Sequence, residues 1–295
     1  MAWALLAFVL LIGGSLGILL GKKQSATLSI LVTIILVFIG QVVLFSYIAV
    51  PELNEEFYQD LAFRPVHLVS WRAYTLATAM FLHGGFFHLI GNSLVLFLLG
   101  LPFENRVGRR NFLAIYLGGG LIAGLGSALF PWRWEVFGLG ASGAISAMMG
   151  AFLVLYPRDE TPMLIGPLIL PRVPVYLSVG LFFALETFLV FVEPASGVAH
   201  EVHIAGLAAG IALGPILVRK RAIAAGEPLE RLEPLAIGER LQEVLRLARE
   251  ETLPDVRRAW LEEFARLASC PACRGSLTYA PGRFSSSCGW VLTLK

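Results

Sequence analysis

The sequence has little charge. Only 15% of its 295 residues are charged, whereas 57% are hydrophobic, and the mean hydropathy is +0.74. A soluble domain is about one quarter charged and about half apolar. The composition therefore excludes an ordinary soluble enzyme and predicts a polytopic membrane protein with a polar appendage. The net charge of +2 says little, because the distribution of the charges carries the information.

Cysteine and aspartate are also scarce. The three cysteines all follow residue 269, so no disulfide framework holds the apolar part of the chain. The only aspartates are Asp60, Asp159 and Asp255, and none lies in an apolar run. An aspartyl protease of the membrane needs paired carboxylates there, so that class is excluded. Basic residues are missing before the first apolar run, which favours a retained span over a cleaved signal peptide.

Apolar runs of spanning length recur along the chain. They predict about seven helices, near residues 2–20, 27–50, 84–101, 112–130, 138–156, 174–192 and 201–218. Basic residues occupy alternate connections, namely Lys22 and Lys23, then Arg106, Arg109 and Arg110, then Arg158 and Arg172, and finally Arg219, Lys220 and Arg221. Because cytoplasmic loops are enriched in Lys and Arg, the N-terminus is predicted outside and the tail inside.

Two connections differ in composition from the others. The outer segment 51–82 is long and holds Trp71 and Arg72 among other aromatic residues. Aromatic and Arg side chains suit the lipid interface, so this segment is expected to lie partly in the outer leaflet; an ordinary extracellular loop is the alternative. The inner segment 157–174 contains several prolines and is expected to be a loop.

A run of small residues at 138–146 opens the fifth apolar segment and surrounds Ser142. Small residues let membrane helices approach closely, and most serines in such helices only pack. Ser142 also has the chemistry of a nucleophile. The turn from Gly140 to Gly143 leaves room around its hydroxyl, and free backbone N–H groups at a helix start stabilise an oxyanion. On this stretch alone, a packing role for Ser142 is favoured over a catalytic one. The polar residues of the third and seventh spans reverse that preference.

The third span begins with polar residues. His88 and Asn92 are four residues apart and hence lie on one helix face, whereas His83 is expected at the loop junction. Polar side chains in a span normally face a protein interior or water. Both His88 and Asn92 can donate hydrogen bonds, as an oxyanion requires.

The seventh span carries His203 one turn before Gly206 and Gly210, which form a face for close helix contact. The fifth span is a partner rich in Gly and Ala, so His203 is predicted to reach Ser142 and act as its base. No aspartate stands ready to orient His203, and a dyad is expected in place of a triad. Glu186, inside the sixth span, is given no catalytic role, because a hydrogen-bonded structural glutamate is equally consistent with its position.

A zinc-protease motif is also considered at the start of the seventh span. The pair His200 and His203 is one residue short of the H-E-x-x-H spacing, and no carboxylate ligand lies in another obvious partner motif. No metal is therefore expected in the membrane core.

Together these residues resemble the rhomboid family of intramembrane serine proteases over roughly residues 27–220. The matching motifs are Trp71-Arg72, the pattern of His83, His88 and Asn92, the Gly140-Ala141-Ser142-Gly143 turn, and His203 with Gly206 and Gly210. All four occur in order, which makes the resemblance specific. His200 is a departure, since relatives often carry another polar or an aromatic residue there.

The resemblance implies an all-α polytopic membrane protein with a six-helix core at 27–221, plus one extra transmembrane helix at 1–26. It implies Ser142 as nucleophile, His203 as general base and acid, and an oxyanion site from His88, Asn92 and the Ser142 N–H. His83, Trp71 and Arg72 would be structural or face lipid. The implied substrates are single-span membrane proteins cut in or near the span, without a cofactor or nucleic acid. The implied setting is the lipid bilayer, with a bacterial cell membrane as the expected location.

The tail is polar and is predicted in two parts, a helical segment at 222–269 and a zinc-ribbon-like segment at 270–295. A complete ribbon has C-x-x-C in both halves. Here Cys270, Cys273 and Cys288 are present, and Ser285 stands where the fourth thiolate belongs. The alternatives are a weakly held zinc ion and a degenerate ribbon with free thiols. Contact with a cytoplasmic protein is a candidate role for the tail.

Two other function classes are weighed against the protease. A catalytically silent relative that binds membrane clients usually lacks the serine or the histidine, and this chain keeps both. A small-solute transporter predicts intramembrane charges or interrupted helices in repeated halves. The chain has no internal repeat, and Glu186 alone supports that class weakly.

Overall fold

The computed structural model describes residues 2–22, 24–47, 51–165, 168–192, 199–218, 229–251 and 254–294. The chain divides into two compact units, Met1–Arg219 and Lys220–Lys295. Lys23 and the basic cluster at 219–221, which entered the predicted orientation, lie outside the described residues, as does the start of the predicted tail segment up to residue 228.

The first unit is mostly helical, and the predicted all-α membrane fold is confirmed. Its helices are α1 (Ala2–Gly21), α2 (Ala26–Tyr47), α3 (Pro51–Leu61), α4 (Thr75–Thr78), α5 (Phe86–Val95), α6 (Leu101–Val107), α7 (Arg109–Gly126), α8 (Ser142–Leu155), α9 (Val175–Val192) and α10 (His200–Leu217). Among the described residues, four stretches are long and apolar enough to cross a membrane, and three shorter apolar helices accompany them. The first group is Ala26–Leu44, Phe86–Val107, Arg109–Leu129 and His200–Leu217; the second is Leu6–Gly21, Ser142–Leu155 and Val175–Leu189.

Helix α8 lies at the centre of this unit, packed against α7 and α10. Eleven of its fourteen residues are buried. The helix is about 21 Å long at 1.5 Å per residue, shorter than a hydrocarbon core of about 30 Å. Its first residue, Ser142, therefore does not need to reach the membrane surface, and it is half-buried among the surrounding elements.

Small residues bring these helices into backbone contact. A Cβ added at Gly210 of α10 would lie 2.6 Å from the carbonyl carbon of Ala147 in α8. A Cβ at Gly206 would lie 3.1 Å from Cβ of Ser146, and closer still to the backbone oxygen of Gly143. The sequence prediction that Gly206 and Gly210 form a close-contact face thus corresponds to a specific α8–α10 interface.

The third span is continuous but uneven. Helices α5 and α6 are joined by a π-helical turn at Leu96–Gly100, so the span extends to Val107, beyond the predicted end at 101. Glu104 near its end accepts hydrogen bonds from Ala26 N (2.7 Å), Thr27 N (2.8 Å) and Ser25 Oγ (2.6 Å). This carboxylate caps the start of α2, where the first N–H groups have no partner within the helix.

The segment 51–82 is more ordered than a simple loop. It contains α3, α4 and three short 3₁₀ turns, and it pairs with a later loop through two backbone bonds between Phe63 and Gly138 (2.7 and 3.0 Å). Arg72 forms an ion pair with Asp60 (3.2 Å), whereas Trp71 is 69% exposed and stacks on Tyr74. Arg72 therefore has a structural contact, and the ring of Trp71 is available to lipid.

The inner connection predicted at 157–174 joins α8 to α9 and contains two paired strands. The strands β1 (Glu160–Ile165) and β2 (Leu168–Pro174) form an antiparallel hairpin, and the pairing register shifts between Thr161 and Met163. Pro162 lies at this irregularity, where a missing N–H does not break the ladder. Pro162, Pro171 and Pro174 belong to these strands, and a two-stranded ladder tolerates proline because both of its strands are edges.

The second unit combines helices and a small sheet. It contains a 3₁₀ turn at Leu229–Leu235, α11 (Glu239–Glu250), α12 (Pro254–Leu267), β3 (Leu277–Ala280), β4 (Arg283–Ser286) and β5 (Val291–Thr293). The strands form an antiparallel sheet in chain order. Phe264 of α12 and Phe284 of β4 are fully buried with ring centroids 6.0 Å apart, so helices and sheet share one hydrophobic core.

Candidate active site

Ser142 and His203 are in hydrogen-bond contact. The distance from Ser142 Oγ to His203 Nε2 is 2.8 Å. Ser142 is the first residue of α8, and His203 lies in the first turn of α10. The close α8–α10 interface begins one turn further on, so the packing of small residues fixes the distance between the two side chains. A hydroxyl held against an imidazole nitrogen is the arrangement that activates a weak nucleophile.

The turn before Ser142 requires glycine. Gly140 has φ of +125°, a conformation that residues with a Cβ rarely adopt. A Cβ at this position would also lie 2.8 Å from Cε1 and Nε2 of His88. The backbone N–H of Gly140 donates to Ala79 O at 2.9 Å, which fixes the turn. The turn therefore lies directly against the His88 ring.

His88 and Asn92 present donors to this turn. The backbone N–H of Gly84 faces His88 Nδ1 at 3.4 Å, so Nδ1 accepts and Nε2 carries the proton. Asn92 is buried, and among the described residues its Nδ2 has no hydrogen-bond partner. Helix α8 also has no side-chain cap, so its first N–H groups add to the set. A buried donor without a partner is costly unless a ligand fills its place.

His83 lies behind His88 instead of facing lipid. It is 1% exposed, and its ring meets the His88 ring edge-on with centroids 5.1 Å apart. Its backbone is held by Gln41, whose amide accepts from His83 N and donates to His83 O, each at 3.2 Å. Of the two roles predicted for His83, this burial favours the structural one.

Glu186 lies beside His203, where the sequence analysis noted only that no aspartate is available. Its Oε2 lies 2.7 Å from Nδ1 of His203 and 2.7 Å from Nδ1 of His200. This contact was not predicted, because a search limited to aspartates passes over a glutamate in a neighbouring span. Helix α9 packs on α10 and brings the glutamate to the face shared by the two histidines. A sequence signal for this contact was available. His200 and His203 are three residues apart and therefore share a helix face, and the preceding span contains one carboxylate, Glu186.

The same three residues form a candidate metal site. One ligand atom from each of Glu186, His200 and His203 lies within 4.8 Å of the others. Glu186 supplies the carboxylate of this group from α9, without belonging to a recognisable ligand motif. The geometry is also fully explained by two hydrogen bonds to one carboxylate oxygen, a pattern that needs no metal. The neighbouring Glu201 is paired with Arg133.

The polar residues open onto one cavity of about 880 Å³. Ser142, His203, His88 and Asn92 all line it. Most of the other lining side chains are apolar, including Phe86, Leu98, Met149, Phe182 and Val202. An apolar chain with a polar backbone fits such a cavity, since its carbonyl can meet the donors while its side chains contact the apolar wall.

In the tail, the three cysteines converge as predicted, but the expected fourth position is wrong. Ser285 Oγ is bonded to Thr278 Oγ1 at 3.1 Å, whereas Ser286 Oγ lies 3.5 Å from Cys273 Sγ. The C-x-x-C spacing, counted back from Cys288, predicted Ser285 as the fourth position. In the structure Ser286, the last residue of β4, takes that position instead. The hydrogen bond from Ser286 lowers the pKa of the exposed Cys273 thiol to about 7.

Comparison with known proteins gives a family match. The model of the Rhomboid domain family matches residues 70–220, just over half of the chain. The matched region begins before Trp71 and includes every residue proposed for the site.

Individual relatives are similar over the same region. The chain is 32% identical over 153 residues to YdcA of Bacillus subtilis, covering 51% of this chain and 69% of that protein. It is 31% identical over 153 residues to Rhomboid-related protein 2 of Mus musculus and 29% identical over 147 residues to the Rhomboid protease GlpG of Klebsiella pneumoniae. These two matches cover 49% of this chain and 47% of each relative.

Proposed function

Because the chain belongs to the rhomboid family of integral membrane proteins, we propose that it is an intramembrane serine endopeptidase with Ser142 and His203 as its catalytic pair. The observation that carries the proposal is the 2.8 Å contact between Ser142 Oγ and His203 Nε2 inside the cavity. Family membership supports intramembrane protease activity in general. The residues and their roles are proposed on the geometry.

In the proposed reaction, His203 Nε2 takes the proton of Ser142 as Oγ attacks the substrate carbonyl. His203 then gives this proton to the leaving amine, and an acyl-enzyme remains. Water attacks the ester with His203 again as base, which releases the acid and restores Ser142. Hydrolysis therefore requires water to reach Ser142 after the first product has left.

The negative charge of each tetrahedral intermediate falls on the former carbonyl oxygen. We assign its stabilisation to the N–H of Ser142, His88 Nε2 and Asn92 Nδ2, because these donors surround the turn at Gly140. Removal of one oxyanion donor costs about 10²- to 10³-fold in kcat in serine proteases. Donors held in place before the reaction are effective because they need little reorganisation.

The proposed substrates are single-span membrane proteins that enter from the lipid bilayer. A helical substrate hides its carbonyl groups in hydrogen bonds, so a bond near a helix-breaking residue is the expected point of cleavage. The hydrolysis needs no cofactor, and no nucleic acid partner is proposed. We propose a bacterial cell membrane as the location, with the N-terminus outside and the tail in the cytoplasm, and contact with a cytoplasmic protein as the role of the tail.

The decisive experiment compares the intact protein with Ser142→Ala and His203→Ala in liposomes that contain a model single-span substrate. Both substitutions are expected to abolish cleavage without loss of folding. Ser146→Ala is the matched control, because Ser146 is buried one turn later in the same helix and its loss removes only a hydroxyl. A fluorophosphonate probe should label the intact protein and the control, but not Ser142→Ala.

Failure of both readouts would reject the proposal. If the intact protein neither cuts a panel of single-span substrates nor reacts with the probe, client binding without cleavage becomes the better reading. If the probe labels the protein but no substrate is cleaved, Ser142 remains the proposed nucleophile and the tested proteins are not its substrates.

A further inference from the structure

Four side chains in the tail surround one point. The Sγ atoms of Cys270 and Cys288 are 3.7 Å apart, and Sγ of Cys273 is 3.5 Å from Oγ of Ser286. The ligand atoms of all three cysteines lie within 4.8 Å of one another. None of these cysteines forms a disulfide.

These distances match a tetrahedral zinc site. Zinc binds thiolate sulfur at about 2.3 Å and oxygen at about 2.0 Å, and tetrahedral angles then separate two sulfurs by about 3.8 Å and a sulfur and an oxygen by about 3.5 Å. The observed sulfur–sulfur distance of 3.7 Å and the observed sulfur–oxygen distance of 3.5 Å agree with these two values. The convergence of three thiols and one hydroxyl in a small volume adds the number of ligands that such a site needs.

The backbone holds the two halves of the cluster as tight turns. In the first, Arg274 N donates to Cys270 O at 2.8 Å, and Arg274 has φ of +60°. In the second, Gly289 N donates to Ser286 O at 3.1 Å, and Gly289 has φ of +88°. The first turn therefore carries Cys270 and Cys273, and the second carries Ser286 and Cys288. In each turn the second of these residues directly precedes the residue with positive φ.

We propose that Cys270, Cys273, Cys288 and Ser286 bind one zinc ion, with the Ser286 hydroxyl as the fourth ligand. The ion would tie the turn after α12 to the turn between β4 and β5, at the edge of the tail core. A hydroxyl is a poorer zinc ligand than a thiolate, so this site should hold zinc more weakly than a four-cysteine ribbon does.

Two neighbouring serines make the test specific. The full chain is purified in detergent, stripped with a chelator and titrated with Zn²⁺ against a fluorescent zinc indicator, and Co²⁺ absorption reports the geometry. One zinc per chain is expected. Ser286→Cys should tighten binding by at least tenfold, whereas Ser285→Cys should leave it unchanged.

Three results would overturn the proposal. The first is zinc uptake that persists when all three cysteines are changed to serine, which would mean adventitious binding only. The second is tighter binding in Ser285→Cys and not in Ser286→Cys. The third is no stoichiometric zinc in the intact protein. Protease activity plays no part in these readouts.

A second inference concerns Glu186 and rests on the proposed function. Its carboxylate is 7% exposed, and Oε2 faces Nδ1 of both His200 and His203 at 2.7 Å. An ionised carboxylate only accepts hydrogen bonds, so both Nδ1 atoms carry protons. In His203 this leaves Nε2 without a proton and facing Ser142 Oγ, which is the form that a general base needs.

We infer that Glu186 is a positioning residue for His203. It fixes the ring and its tautomer before the reaction, and its negative charge stabilises the imidazolium that forms when Ser142 loses its proton. His200 donates to the same oxygen and holds the carboxylate in place. The expected catalytic unit is therefore Ser142, His203 and Glu186 instead of a dyad.

The test separates positioning from folding. Glu186→Gln keeps the shape and removes the charge, and Glu186→Leu removes both charge and acceptor. Both should lower kcat, by about 10²- to 10⁴-fold on the precedent of orienting carboxylates in serine proteases, and leave KM within about threefold. Thr187→Val is the matched control, because Thr187 follows on the same helix and, within the part of the chain that the structure describes, its hydroxyl bonds to Phe183 O.

The outcomes distinguish this inference from the proposed function. If the intact protein is active and both Glu186 variants keep its kcat, only the positioning role is rejected. The role is also rejected if the loss of kcat follows a matching loss of folded protein in thermal unfolding. If the intact protein neither cleaves nor labels, the catalytic proposal and this role are rejected together.

Discussion

The contact between α8 and α10 gives a quantitative prediction for Gly210→Ala. The new Cβ would lie 2.6 Å from the carbonyl carbon of Ala147 and 2.9 Å from its Cα. Carbon atoms in ordinary contact are about 3.5 to 4.0 Å apart, so the helices must separate locally by about 1 Å. Backbone atoms cannot rotate out of the way as a flexible side chain can.

This separation acts on the catalytic pair. Ser142 is about 7.5 Å along α8 from Ala147, and His203 is about 10 Å along α10 from Gly210, at 1.5 Å per residue. A shift of 1 Å would stretch the 2.8 Å contact beyond hydrogen-bond range. Misplacement of this size costs about 10²-fold in rate. Overpacking of a tight core also costs about 1 to 3 kcal/mol of stability.

The assay measures kcat for a single-span substrate and the thermal unfolding midpoint in detergent. Gly180→Ala in α9 is the control, because a Cβ there meets no atom of the described residues within 4 Å. In a helix, alanine is favoured over glycine by about 1 kcal/mol, so the control should be neutral or slightly stabilised. Wild-type kcat in Gly210→Ala would refute the idea that this contact sets the Ser142–His203 distance.

Three further predictions concern other parts of the chain. Glu104→Gln should lower stability by about 1 to 3 kcal/mol in thermal unfolding, since the new amide NH₂ faces backbone donors of α2; an unchanged midpoint would contradict the capping role. Arg133→Met should cost roughly 3 to 5 kcal/mol by leaving Glu201 buried and unpaired, and adding Glu201→Met should recover part of the loss. In chelator-treated protein, alkylation of Cys273 by iodoacetamide should rise with a midpoint near pH 7, because the thiolate forms above its pKa of about 7. Ser286→Ala should move that midpoint to higher pH, and mass spectrometry that finds no movement would count against the hydrogen bond.

Much of the site could be predicted from local patterns. Helical spacing placed His88 and Asn92 on one face, and the small residues of α10 indicated a close neighbour rich in Gly and Ala. Such rules work because a helix fixes which residues share a face. The Ser142–His203 contact is the geometry that these patterns imply.

The rest depends on contacts between distant elements. The sequence places Glu186 in the span before α10, but its contact with His203 depends on the relative rotation of two packed helices, which local patterns do not fix. The pairing of β1 with β2 was not predicted, because Pro162, Pro171 and Pro174 indicate a loop in the sequence although a two-stranded sheet tolerates them. The position of Ser286, and not Ser285, next to Cys273 depends on where β4 ends. Motif spacing alone does not define the end of a strand.

The cap that Glu104 places on α2 has a consequence for membrane insertion. The first N–H groups of α2 are completed by a side chain 77 and 78 residues later in the chain. During synthesis, α2 therefore enters the bilayer with an unfinished end, at a time when the third span has not yet been made. Unpaired N–H groups are costly in lipid, so this end must keep contact with water or with the insertion machinery until Glu104 arrives. The start of α2 is thus completed only after the third span has been made, because Glu104 belongs to that span.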